Sequence, residues 1–317
     1  MNTLGVDIGS ISTKGVVLDE SGRIVASDYL WTEGNPISAV QELLNSLGNL
    51  DRVTAVGTTG SARKLIGAML NATIVKNEIT AHAVGTLAKF PNAQTILEIG
   101  GQDSKIILLR GGIVCDYAMN TLCAAGTGAF LVAQCKRLGI TMEDMGGIAL
   151  SSKNPTKIAA RCAVFAESDM IHKAQTGHTK QDLVAGLCHA VVANYLSNVA
   201  QGKEILGPII FQGGVSKNAG VVAAFRQQLG LDVYVDEESH LTGAVGVAIL
   251  AQKKAAGQNT RRHFSFENIN FRTHAHECAK CPNNCEIIAA YHNETLVDSW
   301  GSRCDNYSAT TTPPLLA

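Results

Sequence analysis

One short pattern occurs twice in this 317-residue chain at a fixed distance, and any fold must accommodate both copies. The first copy is a strand pattern, Leu4–Ile8, a turn of small and polar residues, Gly9-Ser-Ile-Ser-Thr-Lys-Gly15, and a second strand pattern, Val16–Leu18. The second copy is Ile96-Leu-Glu-Ile-Gly-Gly-Gln-Asp-Ser-Lys-Ile-Ile-Leu-Leu109, with the hairpin turn Arg110-Gly-Gly112 after it. The offset is 91 residues, so Asp7 matches Glu98, Gly9 matches Gly100, Thr13 matches Ser104 and Lys14 matches Lys105. A duplicated strand-turn-strand unit followed each time by mixed helices and strands predicts two similar α/β lobes, with a cleft where the glycine turns face each other.

The chemistry of the repeat is that of a phosphate cradle. Glycine lets bare backbone N–H groups approach an anion, and hydroxyl and ammonium side chains add donors. Gly9, Ser10, Ser12, Thr13 and Lys14 supply these in the first copy, and Gly100, Gly101, Gln102, Ser104 and Lys105 in the second. Asp7 is placed to organise Mg²⁺ through water, and an acid at Glu98 or Asp103 to orient an attacking water. Two further glycine runs, Gln212-Gly213-Gly214-Val215 and Gly243-Ala-Val-Gly246, read as turns free to pack on an adenine. No G-x-x-x-x-G-K-[ST] occurs, so this is not a P-loop.

A second theme is cysteine. Cys123 stands directly before Ala-Ala-Gly126-Thr127-Gly128, which opens into the apolar-periodic Phe130–Leu138, and Cys162 precedes a similar helical pattern. A cysteine at a helix mouth lies among free N–H groups and the positive end of the helix dipole, which favours thiolate, a nucleophile or a metal ligand. Two such thiolates are too few to hold a cluster within one chain. Cys115, Cys135 and Cys188 lie in apolar or helical surroundings and read as core packing.

With 26 Lys and Arg against 27 Asp and Glu, and no basic run beyond Arg261-Arg262, there is no electrostatic footprint for nucleic acid or an anionic membrane. The N-terminus lacks a signal-peptide pattern, so a cytoplasmic location is expected. Helices are expected over 35–47, 61–70, 181–199, 220–229 and 241–254. The domain reading is a first lobe over 1–90 completed by the helix 241–254, a second over 91–240, and a linker and Cys-rich extension over 255–317.

Residues 1–254 resemble the ATP-dependent activators of 2-hydroxyacyl-CoA dehydratases, in the BadF/BadG/BcrA/BcrD ATPase family, more remotely similar to acetate kinase, sugar kinases, Hsp70 and actin. The resemblance rests on Gly5-Val-Asp-Ile-Gly-Ser10, Asn77-Glu-Ile-Thr80, Ile99-Gly-Gly-Gln-Asp-Ser-Lys105, Cys123-Ala-Ala-Gly-Thr-Gly128, Cys162-Ala-Val-Phe-Ala166 and Gly213-Gly-Val215. It implies the two-lobed actin, Hsp70 and sugar-kinase-like fold and nucleotide contacts extending to Gly126, Thr127 and Gly128. It also implies a homodimer whose two copies of Cys123 and Cys162 hold one [4Fe-4S] cluster, and ATP-driven delivery of a low-potential electron. The donor would be a ferredoxin or flavodoxin, and the acceptor a dehydratase or a double-cubane cluster protein. Four thiolates from a two-fold dimer match the ligand count of such a cluster. Glu98 is a departure, since the second phosphate motif more commonly carries Asp there.

The tail carries Cys278-x2-Cys281-x3-Cys285 and, later, Cys304, flanked by His274 and His276. It is expected to be a loop-rich module, and four thiolates suit either a second iron–sulfur cluster or Zn²⁺. The rival functions are a small-molecule kinase on the same fold, an ATPase subunit of a benzoyl-CoA-reductase-like complex, and a non-catalytic metal-binding scaffold.

Overall fold

The computed structural model describes residues 2–120, 124–256, 271–292 and 294–304, in two compact units. Unit 1 comprises Met1–Gly9, Thr13–Asn77 and Val247–Ala317, and unit 2 comprises Ser10–Ser12 and Glu78–Gly246.

Unit 1 begins with β1 (Asn2–Ile8), β2 (Ser12–Leu18) and β3 (Ile24–Trp31), then α1 (Pro36–Ser46), β4 (Val53–Gly60), α2 (Arg63–Met69) and β5 (Ile74–Val75). The sheet order is β3-β2-β1-β4-β5, with β2 antiparallel and β4 parallel to β1. Asn35 starts α1 by accepting the Ser38 N–H, with Pro36 at the first helical position, where its missing N–H costs nothing. The helix buries Val40, Leu43 and Leu44 against Leu4, Val6 and Val17.

Unit 2 repeats that sheet. It contains α3 (Glu78–Lys89), β6 (Thr95–Ile99), β7 (Ser104–Arg110), β8 (Ile113–Asn120), α4 (Gly128–Leu138), α5 (Met142–Leu150), α6 (Ala163–Gln175), α7 (Lys180–Asn198), β9 (Ile209–Gln212), α8 (Ala219–Leu229) and β10 (Val233–Tyr234). The order β10-β9-β6-β7-β8 is the first sheet's order, with β6 in the place of β1. The register is also the same: Asp7 pairs Lys14 and Ile8 pairs Thr13, as Glu98 pairs Lys105 and Ile99 pairs Ser104. The second strand of the first repeat starts earlier than the sequence suggests, so Thr13 and Lys14 belong to β2 and only 9–11 form the turn. Helix α7 is the centre of this unit's core, burying Leu183, Leu187, Val191 and Tyr195.

Helix α9 (Thr242–Ala255) follows, and then the tail. The expected glycine turn Gly243–Gly246 is the opening of α9 instead. Glycine at 246 serves helix packing there, because a Cβ would stand 1.8 Å from the Ala81 carbonyl oxygen of α3. The tail is also not loop-rich: β11 (Phe271–Glu277), β12 (Glu286–His292) and β13 (Thr295–Trp300) form an antiparallel meander. Ile287, Ala289 and Ala290 of β12 are fully buried, and the cysteine loop links β11 to β12. Among the described residues no helix is long and apolar enough to cross a membrane.

Candidate functional site

In unit 1, the first copy of the repeat is held by hydroxyls. Thr32 donates to the Gly9 carbonyl at 2.8 Å and meets the buried Thr13 hydroxyl at 3.0 Å, which fixes the start of the turn against β3. Asp7 is 6% exposed at the end of β1, with the Lys14 ammonium 3.6 Å from its carboxylate and 5.7 Å from the Tyr29 ring centre. Gly60 ends β4 at φ +96°, where a Cβ would stand 2.2 Å from the Ile8 carbonyl oxygen. Ser61 donates its hydroxyl to that same oxygen at 3.2 Å.

In unit 2, Gly100 closes the turn by donating its N–H to the Asp103 carbonyl at 2.9 Å. Here the lysine is buried: Lys105 is 2% exposed and meets Asp103 at 2.7 Å, Glu78 at 2.8 Å and Glu98 at 3.0 Å. Burial opposes the ammonium, but Glu98, Glu78 and Asp103 together outweigh it, so the Lys105 pKa is held above its ordinary value. Burial pushes the Glu98 carboxyl up against the opposing pull of Lys105 and His82. Of the three acids, Asp103 has the most exposed side chain, at 33% against 20% for Glu78 and 6% for Glu98. Behind Glu98, Gln212 at the end of β9 bonds His82 at 2.9 Å and accepts from Thr86 at 2.9 Å. Tyr195 donates its hydroxyl to the Lys105 carbonyl at 2.6 Å. Gln102 is exposed in the turn. Gly213 lies at φ +88° with the Ile99 carbonyl 2.5 Å from where a Cβ would be, and Gly214 and Val215 begin a 3-10 turn, Gly214–Lys217.

Cys123 lies outside the described residues. The chain beyond it makes a 3-10 turn, Ala124–Gly126, closed by the buried Thr127 hydroxyl donating to the Ala124 carbonyl at 2.7 Å. Thr127 then stands at the N-cap position of α4, whose first N–H groups reach the glycine turn of the second repeat: Gly128 donates to the Gly100 carbonyl at 2.8 Å and Ala129 to the Gly101 carbonyl at 2.9 Å. Cys162 is the N-cap of α6, in extended backbone and half-buried, and its side chain makes no capping bond to the helix. Exposed Val164 and Phe165 follow it. A thiolate at the mouth of a helix whose N–H groups the cysteine itself leaves uncapped is favoured by the helix dipole, so Cys162 fits a metal-sulfur ligand.

Cys135 and Cys188 are core residues, whereas Cys115 is exposed, because β8 is the edge strand and that face of it is uncovered. In the tail, Cys278 donates its N–H to the Cys285 carbonyl at 2.8 Å, and both thiols are buried beside Ile287. Cys281 is half-buried and Cys304 exposed. Among the described residues no three His, Cys, Asp or Glu side chains converge to hold a metal ion.

Reading the sequence alone missed Glu78 as a partner of Lys105, and His82, Asn194 and Tyr195 altogether. Glu78 lay within a motif already singled out, but a partner 27 positions away carries no spacing signal.

The model of the BadF/BadG/BcrA/BcrD ATPase family matches residues 4–251. The (R)-2-hydroxyglutaryl-CoA dehydratase activating ATPase of Acidaminococcus fermentans is 32% identical over 258 residues, covering 80% of this chain and 98% of that protein. The 2-hydroxyisocaproyl-CoA dehydratase activator of Clostridioides difficile is 34% identical over 266 residues, with 80% and 96% covered. Among solved structures, component A of the A. fermentans (R)-2-hydroxyglutaryl-CoA dehydratase has a TM-score of 0.75 at 31% identity, covering 81% of this chain and 99% of that one. The C. difficile activator with bound ADPNP has a TM-score of 0.75 at 31% identity, covering 84% and 100%. A glucokinase of the ROK family from Streptomyces griseus, at 17% identity and TM-score 0.51 over 80% of this chain and all of that one, shares the fold alone. The α/β fold is therefore of the actin, Hsp70 and sugar-kinase type, followed here by a Cys-rich C-terminal sheet.

Proposed function

The chain belongs to the BadF/BadG/BcrA/BcrD ATPase family, and from that membership we propose that it is an ATP-hydrolysing activator of a 2-hydroxyacyl-CoA dehydratase or a related cluster enzyme. In this reading two copies of the chain hold one [4Fe-4S] cluster through Cys123 and Cys162. When bound, the cluster supplies a single low-potential electron, taken from a ferredoxin or flavodoxin.

Each strand-turn-strand motif offers phosphate donors of its own. The backbone N–H groups of the turns, with Ser10 and Ser12, act as donors, and Asp7 holds Mg²⁺ through water. Gln102 and the glycines at 126, 213 and 243 complete the nucleotide contacts. Glu98, buried and bonded to Lys105, sets the charge of the second motif. Asp103, the most exposed of the acids on Lys105, orients the hydrolytic water. The tail thiols Cys278, Cys281, Cys285 and Cys304 do not converge on a metal among the described residues, so they carry no role in this reading and any iron they take up is counted separately.

The observation that carries this reading is the pair of hydrogen bonds from Gly128 and Ala129 to Gly100 and Gly101. They join the phosphate turn to the helix that follows Cys123, so a change at one is felt at the other. The test is anaerobic purification with assays of iron, sulfide, sedimentation and ATP hydrolysis for the wild type and Cys162→Ser. The expected result is about four iron atoms per dimer beyond those of the tail, lost in Cys162→Ser with weakening of the dimer. Full core iron in Cys162→Ser, with the tail cysteines replaced by serine, would overturn the bridging cluster.

A further inference from the structure

From its buried face helix α7 presents the polar side chain of Asn194 between the loop before Cys162 and the turn Ala124–Gly126. Asn194 is fully buried, between Val191 and Tyr195 of the core. Its amide donates to the Ala160 carbonyl at 2.5 Å, two residues before Cys162, with the Arg161 carbonyl 3.5 Å from the same nitrogen. On its other side it fills the space beside Gly126, three residues after Cys123: a Cβ at Gly126 would stand 2.7 Å from the Asn194 carbonyl oxygen. A buried amide is retained against its desolvation cost by the bonds it makes; here they fall on the loop before Cys162, while the amide oxygen packs against Gly126 in the turn that follows Cys123.

We propose that Asn194 is a positioning residue that sets the placement of the Cys162 loop against the turn following Cys123, and with it the stability of whatever the two thiolates hold. This rests on the reading of Cys123 and Cys162 as ligands. The neighbouring Tyr195 bonds the Lys105 carbonyl of the phosphate motif. One turn of α7 thus references the loop before Cys162, the turn at Gly126 and the β7 strand at Lys105 to a single element. Residues that orient ligands without touching the metal change its retention by about 10- to 100-fold when removed. Side-chain volume alone does not account for the contacts, because an apolar residue would fill the site and leave the Ala160 carbonyl unpaired.

The test uses the full chain, purified anaerobically, with release of iron to bathophenanthroline disulfonate followed in time. The relevant kinetic phase is the one that Cys162→Ser abolishes. In Asn194→Ala this phase is expected to accelerate on the order of 10-fold, with nucleotide affinity unchanged. Asn194→Leu, which fills the site and leaves the Ala160 carbonyl unpaired, is expected to accelerate it as well, and serves alone if Asn194→Ala does not fold. Wild-type release rates in the folded variants would overturn the proposal, as would a lower melting temperature of the iron-free protein with no change in release. Absence of any Cys162-dependent phase in the wild type would instead overturn the ligand reading, and this inference with it.

Discussion

Gly128 donates its backbone N–H to the carbonyl oxygen of Gly100 across 2.8 Å, tying the first turn of α4 to the glycine turn of the second repeat. Ala129 does the same for Gly101 at 2.9 Å. A ligand drawing on the N–H groups of that turn is expected to reorient its carbonyls and to lengthen or shorten these two bonds with them.

Linkage follows if the nucleotide binds one arrangement better than another, since equal affinity for both shifts nothing. Each bond contributes about 1 kcal/mol net. Changing both corresponds to a shift on the order of 100 mV for a one-electron couple. The reduction potential and the rate of iron chelation are expected to differ between the ADP state and a non-hydrolysable ATP-analogue state. Identical values at nucleotide saturation would leave the two sites as neighbours without a shared mechanism.

Lys105 is the counter-charge for three acids, and removing it leaves buried carboxylates uncompensated. Lys105→Met is expected to cost about 3–5 kcal/mol, read as a lower urea midpoint at constant slope. Lys14→Met, at the matching position of the first repeat, loses a partly exposed partner 3.6 Å from Asp7 and is expected to cost well under half as much.

The acids separate by exposure. Asp103→Asn is expected to lower the rate of ATP hydrolysis by about 100-fold or more while leaving the melting temperature within a few degrees. Asp7→Ala is expected to abolish hydrolysis with iron content intact. Phosphate release measured beside iron content checks both, and near wild-type hydrolysis in either variant means that acid has been misassigned.

What the sequence made legible was the part governed by local pattern. The 91-residue register matched Asp7 with Glu98 and Lys14 with Lys105, and both sheets place the acid opposite its lysine, a pairing that the register did not state. The helix mouth at Cys162 was readable because small residues followed the cysteine. Other features were decided by distant neighbours. Gly243–Gly246 looks like a turn until α3 packs against it, and Cys115 looks like a core residue until β8 proves to be an edge strand. Helix α5 was missed although Thr141 accepts the Asp144 N–H at its start, a capping signal present in the sequence. Two glycines in its middle mask the helical pattern.

The cysteines of the core and the edge should differ in reactivity and in pH response. Burial pushes the Cys188 thiol up to about 12 and the Cys135 thiol, with help from Glu143, up to about 11. Folded-state values above the ordinary value of 9.0 mean that the folded chain keeps protons the unfolded chain loses. Their contribution to stability is therefore complete below about pH 9 and is lost as pH rises through 11 and 12. Denaturant midpoints are expected to fall across that range, and less steeply in Cys188→Ala after allowance for its lower starting stability. At pH 8, iodoacetamide should label Cys115 in the native protein and reach Cys135 and Cys188 only after unfolding.

The two sheets share a strand order but not the length of chain that must close to complete them. In the first, β1 meets β4 with Asn2 opposite Val53, a separation of 51 residues; in the second, β6 meets β9 with Thr95 opposite Ile209, a separation of 114. Doubling a loop adds only about 0.6 kcal/mol of closure entropy. The order of events is affected more strongly, because a growing chain has made all of β1–β5 before β9 exists. The first sheet can therefore assemble during synthesis while the hairpin of the second waits with one side of β6 unpaired, an open strand edge at which a nascent chain is exposed to mispairing.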